Sequence, residues 1–414
     1  MLAFLCALPF DMFYSELILV SLLMHSLMHP KQKLFSIHLI KILPAFLFAL
    51  NIICTIYSSD KNQAFKDWEK QLALILFPFI FCVTAIDFNK YKIPLLKGFG
   101  LSCIAVILYF YIDALLTIRY NNLSLTSLFS TAFTNQNFSA PLDLHATYFS
   151  MYCAISLVAF IYLLMRATKK SQQLLYIFGC GILLVGMIQL SSRSVLLAVF
   201  FIINILVPFF LLKPNQRKKF IIISCTITLL AIVSFIRIST FKNRFVYSFE
   251  QDLTLDINSW QNISESRATR WHAAFELIKK NPLMGYGSGS EGNLLQQKYF
   301  QDHLYNSYIH QLNAHNEYLS LLFKFGLAGV LLYLFILYIG FKKAIKEKNI
   351  FFCSFLLLIT FVSFSENILD VNKGIFFFSF FFSYFINISP TTLAKKTLIK
   401  NLPRQKHFQL FLFK

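Results

Sequence analysis

The chain has 414 residues, of which 57% are hydrophobic and 14% charged, and its mean hydropathy is +0.61. That composition is far too apolar for a soluble domain and points to a polytopic membrane protein. The 38 Lys and Arg outnumber 19 Asp and Glu, yet they recur in short loops between apolar runs instead of gathering on one soluble face, so membrane lipids and no nucleic acid are the expected partners.

Met1 to Phe10 lacks a basic leader and a small-residue cleavage site, so no cleaved signal peptide is expected. Apolar runs follow at about 11–29, 35–57, 71–86, 93–117, 145–165, 172–190, 194–212, 219–236, 317–340, 350–365 and 374–389. Each is long enough, or nearly so, to cross a bilayer as a helix. The expected fold class is therefore all-α, a polytopic helical bundle with about eleven crossings. Lys31, Lys33 and Lys41; Lys90, Lys92 and Lys97; Arg166, Lys169 and Lys170; Lys213, Arg217, Lys218 and Lys219; and Lys342, Lys343, Lys346 and Lys348 flank alternate loops. With the basic tail 391–414 they mark the cytoplasmic side. An odd count leaves the N-terminus outside, so either Met1 to Phe10 belongs to a further helix or a first helix is missing. The cysteines are scattered through apolar segments without a CxxC pair and read as small buried hydrophobes.

This pattern divides the chain into N-terminal crossings (1–236), a large outward loop (237–315), C-terminal crossings (316–390) and the basic cytoplasmic tail (391–414). So long a loop in an otherwise tight chain is a functional candidate. From Ser264 to Lys280, Ile263, Trp271, Ala274, Phe275 and Ile278 follow helical spacing, and Asn281-Pro282 stops the helix. Gly285, Gly287 and Gly289 then predict a flexible turn; no Gly-Lys-Ser/Thr follows, so this is not a P-loop.

Arg193 stands at the outer mouth of the seventh run, where a snorkelling anchor is the plain alternative. Arg267 lies four residues before Trp271 on the stripe carrying Ala274 and Ile278, and should point inward. No acid stands at helical spacing to pair with it, and Glu265 faces elsewhere, so the anion it needs is read as a ligand. Arg270, one turn on, is a second candidate donor or a structural cation. His315 enters the ninth run from a polar loop; its reference pKa of about 6.5 makes it a usable base. Glu317 beside it is open to three readings: orienting the ring, acting as base, or complementing the helix N-terminus. Asn316 is a plausible N-cap, and Lys324 within the run should pair or snorkel. His145, His303 and His310 are weaker candidates. Neither a DxD-type acidic cluster nor a set of mid-membrane acids is evident, which disfavours a soluble sugar-nucleotide enzyme and an ion-coupled transporter.

Three fragments together resemble the O-antigen ligase and polymerase family of membrane glycosyltransferases: Ser191-Ser192-Arg193-Ser194; Arg267-Ala-Thr-Arg-Trp271 leading to Asn281-Pro-Leu-Met-Gly-Tyr-Gly-Ser-Gly289; and His315-Asn-Glu-Tyr-Leu319 with Gly326 and Gly329. The resemblance covers about residues 145–365. It implies a GT-C-like bundle of about twelve helices in the bacterial inner membrane, with its active site facing the periplasm and the Arg267 helix lying on the membrane surface as a lid. It also implies an undecaprenyl-diphosphate-linked glycan as donor and a lipid A-core or other glycan as acceptor. On that reading Arg193 and Arg267, with Arg270, hold the diphosphate, and His315 and Glu317 are catalytic. Asn316, Trp271, Gly285 and Gly287 orient them, transfer inverts the anomeric centre, and no metal or cofactor is called for. The compact loop favours a ligase over a polymerase. From another class, a flippase of lipid-linked oligosaccharide would bind the same diphosphate without chemistry.

Overall fold

A computed structural model describes residues 1–30, 38–84, 87–255 and 265–388. Lys31, Lys33, Ile263 and the basic tail, all used above, lie outside these residues. The described chain is helical, with an isolated bridge between Pro30 and Thr84 in place of any sheet.

Every apolar run falls on a helix. Among the described residues, six helices are long and apolar enough to cross a membrane: Phe88–Tyr120, Ala146–Leu164, Lys170–Leu190, Arg193–Leu211, Pro214–Ile236 and Glu317–Lys346. The other runs form shorter helices, Met12–Met28, Leu43–Thr55, Ala73–Val83, Ile350–Val362 and Asn372–Asn387. The last two are enclosed by protein along nearly all their length, so their reach is set by helix neighbours and not by bilayer thickness. Met1 to Phe10 contributes a short helix, Leu2–Ala7, whose Phe4 ring packs on Phe77, Phe376 and Phe380.

The core is built largely of rings. Phe376, Phe377, Phe378, Phe380, Phe381, Phe382 and Phe385 of the last helix are all buried. Inside a bilayer, transfer from water cannot drive this packing, since lipid tails are as apolar as Phe. Interlocking does: offset and edge-on ring pairs contribute about 0.5–1.5 kcal/mol each beyond burial. Ala146–Leu164 runs through the centre, buried from Ala146 to Phe160. Its Phe160 ring slots between Gly100 and Gly179, where an added Cβ would stand 2.4 Å from the ring on either side.

The basic loops gather at one end of the bundle. Lys92 Nζ donates to Asn349 Oδ1 at 3.3 Å and lies 4.7 Å from the Phe351 ring, and Lys343 Nζ donates to the Ile386 carbonyl at 2.7 Å. The starts of the Ala146, Arg193 and Glu317 helices meet at the other end.

The Glu317–Lys346 helix is broken at Gly326, whose φ of 60° and ψ of −157° only glycine adopts readily. The segment after Pro282 fills the break. Tyr286 and Gly287 N–H donate to the Phe323 and Lys324 carbonyls, both at 2.9 Å, and Leu327 N–H donates to the Pro282 carbonyl at 3.1 Å. A Cβ on Gly326 would sit 2.1 Å from Leu283 O, and one on Gly285 would sit 2.6 Å from Gly326 N. The glycine turn expected to be flexible is therefore a rigid wedge. The Arg267–Lys280 helix also differs from the lid expected on a membrane surface: its Ala273, Ala274 and Ile278 are buried in one cluster with Leu319 and Phe323.

Candidate functional site

Ser191, in the left-handed region at φ 50°, turns the chain out of one long helix and into the next, so that Arg193 becomes the first residue of its helix. Its guanidinium pairs with the Asp252 carboxylate and lies 5.5 Å from the Phe249 ring. Arg267 opens its own helix after the N-cap Ser266, whose Oγ accepts from Thr269 N–H at 3.0 Å. Arg267 Nη1 donates to the Ser365 carbonyl at 3.0 Å, and its Nε is 3.9 Å from Asp252 Oδ2. The anion that helical spacing does not supply is therefore Asp252, from the short helix Ser248–Leu253, standing between both arginines. Ser365 Oγ bonds Ser194 Oγ at 2.7 Å, tying the Arg193 helix to the same turn.

A third guanidinium, Arg244, belongs to this group although nothing in its surroundings along the chain singles it out. Burial lowers its pKa, the charges of Arg193 and Arg267 add to that, and Asp252 and Glu366 oppose it. The Asn135 amide, in the orientation that satisfies its neighbours, accepts from Arg244 Nη2 at 3.3 Å. Among the described residues, Arg193 Nη1 and Arg244 Nε are buried donors with no partner. Arg270 is 6% exposed and donates to the Asn313 carbonyl at 3.4 Å. Burial lowers its pKa, opposed by Tyr299, and its Nε and the Tyr299 hydroxyl are both unpartnered. Buried unpaired donors are uncommon and invite an acceptor.

His315 sits at φ 47°, a strained conformation for a residue with a Cβ. The turn is held from several sides: Trp271 Nε1 donates to Ala314 O at 2.8 Å, His315 N–H to Asn313 Oδ1 at 3.0 Å, and Asn316 caps the following helix by accepting from Leu319 N–H at 3.2 Å. The ring's Nδ1 lies 3.4 Å from Glu366 Oε2. Thr147 Oγ1 donates to Glu366 Oε1 at 3.2 Å. Burial alone would raise the Glu366 pKa, but the His315 bond and the charges of His145, His315 and Arg267 outweigh it and hold the carboxyl below its ordinary value. His145 closes the group. Its Nδ1 accepts from Thr147 N–H at 3.3 Å, and burial lowers its pKa, partly offset by Glu366. That bond leaves the proton of the neutral ring on Nε2.

Glu317 does not face His315. It is 1% exposed, and its carboxylate accepts from Leu369 N–H at 2.8 Å. It belongs to a buried network behind the turn. Lys324 Nζ pairs with Asp370 at 2.6 Å and Glu291 at 3.3 Å. Asn367 accepts from Asn316 N–H at 2.7 Å and donates to Asp370 at 3.0 Å. Gly285 and Gly287 lie in the wedge beside Lys324 and act on the site only through it.

The structure thus links Arg193, Arg267 and His315 through Asp252, Ser365 and Glu366, with Arg270 and Trp271 bonded to the turn that carries His315. Asp252, Arg244 and Glu366 were not picked out from sequence. His145 was ranked low, although its place at a helix start was the available signal.

A family model described as O-antigen ligase matches residues 178–334, which include Arg193, Arg244, Arg267 and His315. No curated protein matches the chain.

Proposed function

We propose that the chain, which matches the O-antigen ligase family model over residues 178–334, is a glycosyltransferase moving a glycan from undecaprenyl diphosphate to a lipid A-core or similar acceptor. The observation that carries this reading is the convergence of three guanidinium groups with a His315–Glu366 pair at the bundle end opposite the basic loops.

The roles follow from charge. Arg193, Arg244 and Arg267 neutralise the diphosphate, whose negative charge grows as the bond to the anomeric carbon breaks. His315 Nε2 takes the proton of the acceptor hydroxyl while that oxygen attacks the anomeric carbon. Glu366, ionised at neutral pH, holds Nδ1–H and stabilises the imidazolium that forms. Displacement from the face opposite the diphosphate inverts the centre. Glu317, Asn316 and Trp271 position the His315 turn, and Arg270 supports it through Asn313. With the basic loops cytoplasmic, the site faces the periplasm from the inner membrane.

An in vitro assay with a defined prenyl-diphosphate glycan and candidate acceptors tests this. Arg193→Ala, Arg267→Ala and His315→Ala should each lower transfer by roughly 10²-fold or more. Near-normal turnover in all three would remove the site. In cells lacking the protein, polymerised glycan accumulating on the carrier marks a lost ligase, and single repeats mark a lost polymerase.

A further inference from the structure

Asp252 holds the one place in the site where an anion bridges Arg193 and Arg267. A lone carboxylate does not complete that place. It carries a single charge among three cations, and among the described residues Arg193 Nη1 and Arg244 Nε have no acceptor. The helix that carries it, Ser248–Leu253, has no buried residue of its own. Phe249 and Leu253 are exposed; the segment continues the helical run from Ser239, which the buried Phe241 anchors, and the Asp252 ion pairs, with the contact of Arg193 on the Phe249 ring, hold its end over the site. Contacts of this kind at half-open surfaces are worth little individually and exchange readily.

A site of three arginines at lipid-headgroup height faces a competition problem. The phosphodiester headgroups around it are anionic and abundant, and each presents one charge on two free oxygens, the same charge and oxygen count as a carboxylate. A diphosphate diester presents two charges on four free oxygens. When a phosphodiester replaces Asp252 it gains no charge and no acceptor, whereas a diphosphate brings a second charge and two further oxygens for Arg193 Nη1 and Arg244 Nε.

We propose that Asp252 is a specificity-determining residue of the donor site: its carboxylate occupies the arginine cluster and is displaced by a diphosphate but not by the single phosphodiester of an ordinary membrane lipid. The inference rests on the donor-site reading above and adds a selection step to it.

The full-length protein in nanodiscs of zwitterionic lipid is titrated with P1,P2-dimethyl diphosphate and with dimethyl phosphate. The wild type should prefer the diphosphate strongly. Asp252→Asn removes the internal competitor while keeping the side chain's shape, so it should bind both probes about tenfold tighter, losing the threshold that keeps a single phosphodiester out of the site. Asp252→Glu, which keeps the charge, should retain it. An Asp252→Asn protein that binds dimethyl phosphate no more tightly than the wild type overturns the inference and leaves the donor site standing. If Arg193→Gln binds the diphosphate as tightly as the wild type, the donor site itself is wrong and the filter falls with it.

Discussion

Glu366 is the side chain on which the proposed base depends. It lies 3.4 Å from His315 Nδ1, whereas Glu317, two residues from the histidine in sequence, is bonded to Leu369 N–H instead. Glu366→Gln should therefore lower transfer by about 10²-fold with little change in donor KM, while Glu317→Gln, which keeps an acceptor for Leu369, should stay within about threefold of wild type. Equal losses in the two variants would contradict this division. The Glu366 carboxyl is also a stability element with a definite sign. Its folded pKa lies below the ordinary glutamate value, so its contribution is fully present above about pH 4.3 and is lost as pH falls through the folded value. The difference in thermal unfolding midpoint between wild type and Glu366→Gln should hold steady near neutrality and close on acidification. Arg193 and His315 were readable as candidates because a polar residue at the edge of an apolar run is conspicuous in a line of letters, and Arg267 because it falls on the apolar stripe of an amphipathic pattern. Their partners were not. Asp252, Arg244 and Glu366 lie in unremarkable polar surroundings, and their role exists only once separate helix ends meet.

At the scale of elements, the broken helix sets the position of everything around His315. The Pro282–Gly287 wedge and the buried charges of Lys324, Asp370 and Glu291 fix the half-helix between His315 and Gly326 against the rest of the bundle. Sequence periodicity read this stretch as one continuous helix and the glycines at 285–289 as a loose turn. A hydropathy pattern registers which residues are apolar, but not that one segment's N–H groups are spent on another's carbonyls. Gly326→Ala should lower stability by about 3 kcal/mol, the sum of a glycine-only conformation and a backbone clash. Gly181→Ala is the control, since nothing lies within 4 Å of the Cβ it would add. Unfolding midpoints in detergent check both; a Gly326→Ala protein as stable as Gly181→Ala would mean that the break does not carry the load assigned to it. Transfer activity should fall with the Gly326 substitution even below the unfolding temperature, because the His315 turn shifts with the half-helix that follows it.

For the whole molecule, orientation decides whether the chemistry proposed has a substrate. The alternation of basic loops, legible from sequence alone, predicts that residues such as Lys169 and Lys348 lie on the cytoplasmic side. The folded chain keeps Lys92, Asn349 and Phe351 together at that end. At the other end, Gln189 gathers the Leu128 and Phe133 carbonyls at 2.7 and 2.6 Å beside the Arg193 turn, and the Ser290–Gln301 helix packs with the Arg267 helix through Leu295 and Tyr299. Single cysteines at exposed positions should therefore divide by end. Thr126→Cys and Gln301→Cys should react with a membrane-impermeant maleimide in intact spheroplasts, and Lys169→Cys and Lys348→Cys only after the membrane is opened. The native cysteines, buried or half-buried, should give little background. The reverse labelling would put the arginine cluster in the cytoplasm, where a carrier-linked glycan awaiting ligation is not presented, and a transferase acting on the outward-facing donor could not use it.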